Sequence, residues 1–452
     1  MKQTLLEQAL SHIRPEFLAE AARKKKIPLR WAGAVAAVLA MVLLLQSMPL
    51  SLRVKAVSTA DYPKYLWEYR GDEMKAMRPY LTDFFTESMA LTLSGAEGEN
   101  QTYSPANLYL ALSVGAELTA GDTRQQILDT LGASSIEVLR KRMHTFWNAC
   151  YFDDRDKVLL ANSLWLNKGL EYDQSVMDIL ADSYYTSVYQ GEFGKASTNK
   201  AIAGWLDDQT GGILKSSTEN VQLDPATVLA AYSTVYYRAM WVHGDAFSAA
   251  KNTDGIFHSP DGDMECTFMN KKEEQTTYFW GEDFGAVSLG LRDGSQMWFI
   301  LPDEGKTVED VLAAGEYAQF ALGLHECSGE ECGSHKYLKV NLSVPKFDIQ
   351  ASGDLKEDLQ TMGVTDIFIP KTADFSASVE SDLPVYLTGV NQATRVAVDE
   401  EGVTAASYIE LPGAGAAMPP EEIIDFVLDR PFLFVISNRY GVPLFSGVVN
   451  RP

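Results

Sequence analysis

A run of 22 residues without a charge, 31–52 (WAGAVAAVLAMVLLLQSMPLSL), divides this chain. As a helix it would span about 33 Å, enough for a bilayer core of about 30 Å. It is apolar all round, whereas a surface helix keeps one polar face. Charge also changes across it. Residues 1–30 carry seven Lys and Arg against three Glu, a net of +4, so the −23 of the whole chain leaves −27 for everything after residue 30. Arg23, Lys24, Lys25, Lys26 and Arg30 stand just before the run. Basic flanks stay in the cytoplasm, so the predicted orientation is N-terminus in and body out. The basic head is long for a cleaved signal peptide. The small-residue pattern at Val54-Lys55-Ala56 leaves cleavage near Ala56, and secretion, as the alternative. The predicted layout is a basic cytoplasmic segment 1–30, a transmembrane signal anchor 31–52, a stalk 53–77 and one domain over 78–452.

The body has the means to fold. Hydrophobic residues make up 46% of the chain, enough for a large core. Its acidity argues against a nucleic-acid partner, because a duplex needs its phosphates neutralised by Lys and Arg. Enzyme signatures are missing: there is no G-x-S-x-G elbow, no H-E-x-x-H, no P-loop and no G-x-G-x-x-G. Four cysteines are too few for a disulfide scaffold of this length. Cys150 and Cys266 read as buried thiols. Cys327 and Cys332 lie in HECSGEECGSH between His325 and His335. That set could enclose a zinc ion, but its spacing matches no common zinc motif, and a local disulfide is at least as good a reading outside the cytoplasm. No metal or cofactor is expected.

Patterning places the elements. Leu81, Phe84, Phe85, Met89 and Leu93 fall at helical spacing within 78–94. NQTYSPANLYLALSVGAELTAGDTRQQILDTLG reads as a strand, a Ser-Pro break and two helices, and SVMDILADSYYTSVYQGEF as a helix then a strand. VLLANSLWLN, VLAAYSTVYYRAMW, QMWFILP and YLKVNLSVPKFDI read as strands. The C-terminal apolar runs, split by Asn-Arg-Tyr-Gly, signal a hairpin. Helices early and strands late argue for a single α+β domain, with no internal repeat.

From residue 78 onward the chain resembles the serpins, a family of serine protease inhibitors. The likeness rests on an ordered series: NQTYSPANLYLAL, GDTRQQILDTLG, ANSLWLNKGLEY, AIAGWLDDQTGGIL, VYYRAMWVHGDAF with Trp241 and Phe247, VPKFDI, DLKEDLQTMGVTDIF, ADFS, DRPFLFVI and PLFSGVVNRP. With the N-terminal anchor, the chain resembles a bacterial-type member. The resemblance implies a large central mixed β-sheet, smaller sheets, surrounding helices and an exposed reactive-centre loop. It implies a hinge at Glu400, Glu401, Gly402, Val403, Thr404, Ala405 and Ala406. It implies a scissile bond at Ala416–Ala417, with Ala414, Gly415 and Met418 as neighbouring choices. It implies a polar gate and sheet opening at Ser104, Asn107, Ser233, Trp241 and Asn391. The implied partner is a serine protease held as a covalent acyl complex, by a monomeric inhibitor that is no enzyme.

The loop's own chemistry suits that role. A segment that passes from solvent into a sheet needs small residues and period-two alternation. Val403, Ala405, Ser407, Ile409 and Leu411 would share one face, and Thr404, Ala406, Tyr408 and Glu410 the other. Residues 402–420 contain no Arg or Lys, so a trypsin-like target is disfavoured and an elastase-like one, with a shallow pocket, is favoured. A papain-like target stays open. Three features depart from the family pattern: Val403 replaces the common Thr, Tyr408 is bulky, and Pro412 removes a ladder donor. A non-inhibitory serpin-fold surface binding protein is therefore the alternative reading, and a metal protein or hydrolase built on His325–His335 a weaker third.

Overall fold

The computed structural model describes residues 54–62, 71–96, 98–212, 221–242, 246–322, 334–403 and 422–452. The uncharged run 31–52 lies outside them. Among the described residues no helix is long and apolar enough to cross a membrane.

Local signals start the helices. Helix α1 covers Gly71–Ser94, α2 Pro105–Leu118, α3 Gly121–Thr130, α4 Ile136–Cys150, α5 Gln174–Tyr184 and α6 Ala196–Gln209. Ser104 caps α2 by accepting a hydrogen bond from the Asn107 amide, with Pro105 in the first turn where its missing N–H costs nothing. Ser135 caps α4 and Asp173 caps α5 in the same way. Helix α1 starts seven residues before the predicted 78 and runs through Pro79. A proline there removes one backbone bond. Burial of Met74, Met77, Leu81, Phe84 and Phe85 along one face outweighs that loss.

Two large sheets form among the described residues. The first runs in space β1 (Lys55–Ser58), β6 (Thr186–Gly191), β4 (Lys157–Asn167), β7 (Leu229–Met240), β16 (Gly402–Val403), β15 (Asn391–Val398) and β13 (Phe347–Asp354), with β3 (Phe152–Asp153) on β4. The second runs β17 (Ile423–Val427), β12 (His335–Pro345), β9 (Gly262–Trp280), β10 (Phe284–Gly290), β11 (Gln296–Pro302), β18 (Phe432–Ser437), β19 (Pro443–Val449) and β2 (Gln101–Tyr103), with β8 (Thr253–Ser259) on β9. A small pair joins β5 (Glu171–Tyr172) to β14 (Val379–Glu380). The fold is α+β, as predicted. The C-terminal hairpin β18–β19 is buried at every residue, which explains its continuous apolar runs. Ile423–Val427 is a separate strand, parallel to β12, and not part of that hairpin.

Helices α2, α4 and α5 meet around one buried carboxylate. Arg140 on α4 forks onto Glu117 of α2 at 2.6 and 2.8 Å, and the Tyr184 hydroxyl of α5 donates to the same group at 2.8 Å. Burial raises the Tyr184 phenol far above its ordinary range, and the adjacent Glu117 charge adds to the rise.

The predicted stalk needs correction at both ends. Residues 55–58 pair antiparallel with β6, Lys55 opposite Gln190 and Ser58 opposite Val188. Ala60 donates its amide to the Ser187 hydroxyl, and Tyr62 stacks on Trp147 and Tyr151 at about 5.8 to 5.9 Å between ring centroids. At the other end, α1 begins at Gly71. The edge of β6 offers unpaired backbone groups, and a passing segment lowers the free energy by completing that ladder. We expect Tyr62→Ala to cost about 1–3 kcal/mol of stability, since it removes a half-buried ring and two stacking contacts. Chemical denaturation of the variant checks this, and an unchanged midpoint would show the strap to be unattached in solution.

Candidate functional site

The first sheet has an unusual centre. Strands β7 and β15 are joined through β16 alone: Val403 pairs with Val398 on one side, and Gly402 and Val403 pair with Met240 and Ala239 on the other. Strand β16 is antiparallel to both neighbours, so β7 and β15 run parallel on either side of it. Among the described residues no ladder joins β7 directly to β15. Two residues therefore start a central strand, and the edges beyond them form a slot for more of it.

A tight turn delivers the chain into that slot. The Asp399 carboxylate accepts from the amides of Glu401 at 2.8 Å and Gly402 at 3.2 Å. The Gly402 carbonyl accepts from the Asp399 amide at 3.1 Å. Asp in this position is a turn former by the same chemistry wherever it occurs. Gly402 is required by close approach: a Cβ there would stand 2.3 Å from the Ala239 carbonyl oxygen and 2.7 Å from the Met240 Cα. Val403 follows it and is 2% exposed, so a hinge side chain is already in the core.

Four residues brace the turn from outside. Trp241, buried, donates its indole N–H to the Asp399 carbonyl at 3.0 Å and its amide to the Glu401 carbonyl at 3.0 Å. Phe247 packs edge-on against Trp241 and donates its amide to the Glu400 carbonyl. The Glu400 carboxylate takes the Asn252 amide and the Lys346 ammonium, both at 2.6 Å. Burial pushes the Glu400 carboxyl up, but the hydrogen bonds from Lys346 and Asn252 together outweigh it and leave it below its ordinary value.

A second polar cluster lies beneath the sheet at the far end of β15. The Ser104 hydroxyl donates to the Leu444 carbonyl at 2.7 Å. Asn107 donates to the Ser233 carbonyl at 2.9 Å. Gln392 makes a two-way pair with the Ser104 backbone, accepting from its amide at 2.8 Å and donating to its carbonyl at 3.0 Å. Thr394, buried, donates to the Thr102 carbonyl at 2.8 Å. Ser104 and Asn107 thus meet, Ser233 joins them only through its carbonyl, and Trp241 belongs to the turn at the other end of β7. Asn391 is a correction: it is exposed and takes no part. Successive strand residues point to opposite faces, so the inward neighbour is Gln392.

Thr404, Ala405 and Ala406, the bond residues Ala414–Met418, and also Tyr408, Pro412, His325, Cys327 and Cys332 lie outside the described residues. His335 begins β12 with its ring beside Phe279. Among the described residues no cluster of His, Cys, Asp and Glu could hold a metal. Burial raises the thiols of both Cys150 and Cys266, so neither is primed to react. Sequence reasoning missed Asn252, Lys346, Gln392 and Thr394. It missed Asp399 too, although an Asp ahead of Glu-Glu-Gly is a turn signal.

The fold is an α+β domain with two large sheets, one of them bridged at its centre by two residues. A family model described as serpin (serine protease inhibitor) matches residues 81–452, and the chain belongs to that family. Plasminogen activator inhibitor 1 of Sus scrofa is 26% identical over 388 residues, covering 82% of this chain and 91% of the relative. The thermophilic serpin tengpin in its native state superimposes with a TM-score of 0.74 at 25% identity, covering 88% of this chain and all of tengpin. Thyroxine-binding globulin in complex with thyroxine shares the fold, with a TM-score of 0.68 at 22% identity and coverage of 83% and 99%.

The Glu400 brace yields a pH test. Its folded pKa is depressed, so its stabilisation is present above the unfolded value of about 4.3 and is lost as pH falls through the folded one. With Lys346 partly exposed, we expect Lys346→Met to lose about 1 kcal/mol at pH 7. The difference from wild type should shrink as the pH drops below about 4. Unfolding curves at both pH values check it, and an equal deficit at both would remove Glu400 as the partner.

Proposed function

We propose that this chain is a suicide inhibitor of extracellular serine proteases that prefer small residues. The observation that carries the reading is the β7–β16–β15 junction, where Gly402 and Val403 already sit as the first two residues of a new strand. A protease attacks the bond at Ala416–Ala417 and forms an acyl-enzyme. The freed hinge then continues down the slot as a full strand, each residue gaining ladder bonds on both sides. Insertion carries the attached protease away from the loop's original site and deforms its catalytic centre, so the acyl bond persists. The active form is held kinetically: the barrier lies in moving the uncut loop into the sheet. Small residues on both sides of the bond fit a shallow, elastase-like pocket.

The face assignment gives a sharp variant. Ala405 shares the parity of Val403, so Ala405→Arg must bury an unpaired charge on insertion. Incubation with an elastase-like protease, followed by a denaturing gel, should show a stable covalent complex for wild type and mostly cleaved, free chain for Ala405→Arg. Equal complex yield from both would contradict the insertion face. Cleavage without any complex in wild type would favour the second reading, a non-inhibitory binding protein. Tyr408 and Pro412 are the features that favour it, since both burden a central strand. Serpin-fold binding has a precedent in thyroxine-binding globulin, whose solved complex holds thyroxine.

The basic head and uncharged run suit a bacterial-type, membrane-tethered member. We place residues 1–30 in the cytoplasm, 31–52 across the bilayer and the inhibitor domain outside, acting as a monomer. The alternative, cleavage near Ala56, would cut within the strap on β6. Fractionation of the expressed full chain should find it in membranes and resistant to carbonate extraction. A mature form in the medium beginning near residue 57 would replace the anchor reading.

A further inference from the structure

Strand register fixes what each end of the first sheet carries. Gly402 and Val403 pair with Met240 and Ala239 at the end of β7, so the hinge belongs to that pole. Strand β4 runs antiparallel to β7 and brings Leu166 opposite Leu229, the start of β7. Strand β6 lies parallel to β4, with Gln190 beside Leu166. Lys55 pairs with Gln190, so the strap enters the sheet at the pole opposite the hinge. A Cβ on Gly191 there would stand 3.2 Å from the Cγ2 of Val54, the first described residue. The 12 residues of β7 put about 36 Å between the two poles. Apolar side chains are exposed at the strap's pole. Strand β15 starts there, Asn391 opposite Asp354, and the connection leading into it comes from β14, whose partner β5 begins shortly after the end of β4. In that connection Leu383 is 67% and Tyr386 39% exposed. Ile369, 43% exposed, follows Ile367, whose carbonyl accepts from the Leu387 amide at 2.8 Å. Neither Leu383 nor Tyr386 serves the core, the turn at Asp399 or the gate.

We propose that this pole rests on the bilayer surface, with Leu383 and Tyr386 set among lipid headgroups and the hinge held at the far end of the domain. The proposal rests on the anchor reading above. In that reading the bilayer run ends at Leu52, and only Arg53 stands between it and Val54. Two residue steps reach at most about 7 Å. A headgroup layer is itself about 5–8 Å deep on each side of the hydrocarbon. Val54 is therefore at the membrane surface, and no free stalk lifts the domain off it, because pairing into the sheet begins at Lys55. A pole tied this closely must meet the headgroups, and exposed apolar groups are what such a contact uses. Leucine gains by leaving water, and tyrosine suits a boundary that is apolar at one end and wet at the other. Glu380 and Asp382 flank Leu383 and are exposed, so the fitting surface is one of net-neutral headgroups; an anionic one would repel them. Standing the hinge about 36 Å further out leaves the loop open to proteases in solution.

The test uses the full chain in phosphatidylcholine vesicles that carry a photoactivatable headgroup. Flotation on a density gradient reads attachment, and mass spectrometry maps the lipid adducts. Wild type should float, with adducts on the peptide covering 380–390 at least about fivefold above those on the peptide that holds Phe247 and Asn252, beside the hinge. Leu383→Asp with Tyr386→Ser should float equally, unfold at the same temperature and lose about fivefold in the 380–390 adducts. Floating wild type with adducts spread evenly over both peptides would overturn the docked pole and leave the anchor standing. So would a double variant labelled as strongly as wild type. A chain that stays at the bottom of the gradient would remove the anchor reading, and the docked pole with it.

Discussion

Everything in this molecule is arranged around two residues wedged between two parallel strands. Gly402 and Val403 hold β7 and β15 in one sheet, and no direct ladder between those strands is seen among the described residues. In the proposed mechanism, insertion of the cut hinge would satisfy the backbone edges on either side of those two residues.

The supports on either side of this wedge differ in kind. At the turn, charge and aromatic packing combine: Glu400 is held by Lys346 and Asn252, and Trp241 covers the Asp399–Glu401 backbone. At the far end, the contacts around Ser104, Asn107, Gln392 and Thr394 are all neutral. Amide and hydroxyl groups do not titrate in the working range, so of these two supports only the turn responds to acid. On the outer edge, the strap over β6 ties the sheet to the residues that precede the domain.

Much of this was legible beforehand. The Ser-Pro break ahead of α2, the long apolar strand over 229–240 and the buried C-terminal hairpin all follow from local patterning. Boundaries were less legible. Patterning places the helix over 78–94, yet α1 starts at Gly71 and passes through Pro79, because its apolar face is buried on both sides of the proline. Residues 55–58 carry a stalk-like composition and still become a strand, because their partner edge lies more than 120 residues away in sequence. The gate residue was off by one, since alternation fixes facing only once the register is known, and a single step turns Gln392 outward and Asn391 inward.

The sequence by itself determined the family, the order of the elements and the small-residue character of the loop, because these depend on residue types and near-neighbour spacing. Only the tertiary structure decided that Val403 is already buried and that Lys346 and Asn252 converge on Glu400. Those facts join residues dozens to more than a hundred positions apart. Such contacts are set by strand register and sheet order, which no local pattern encodes.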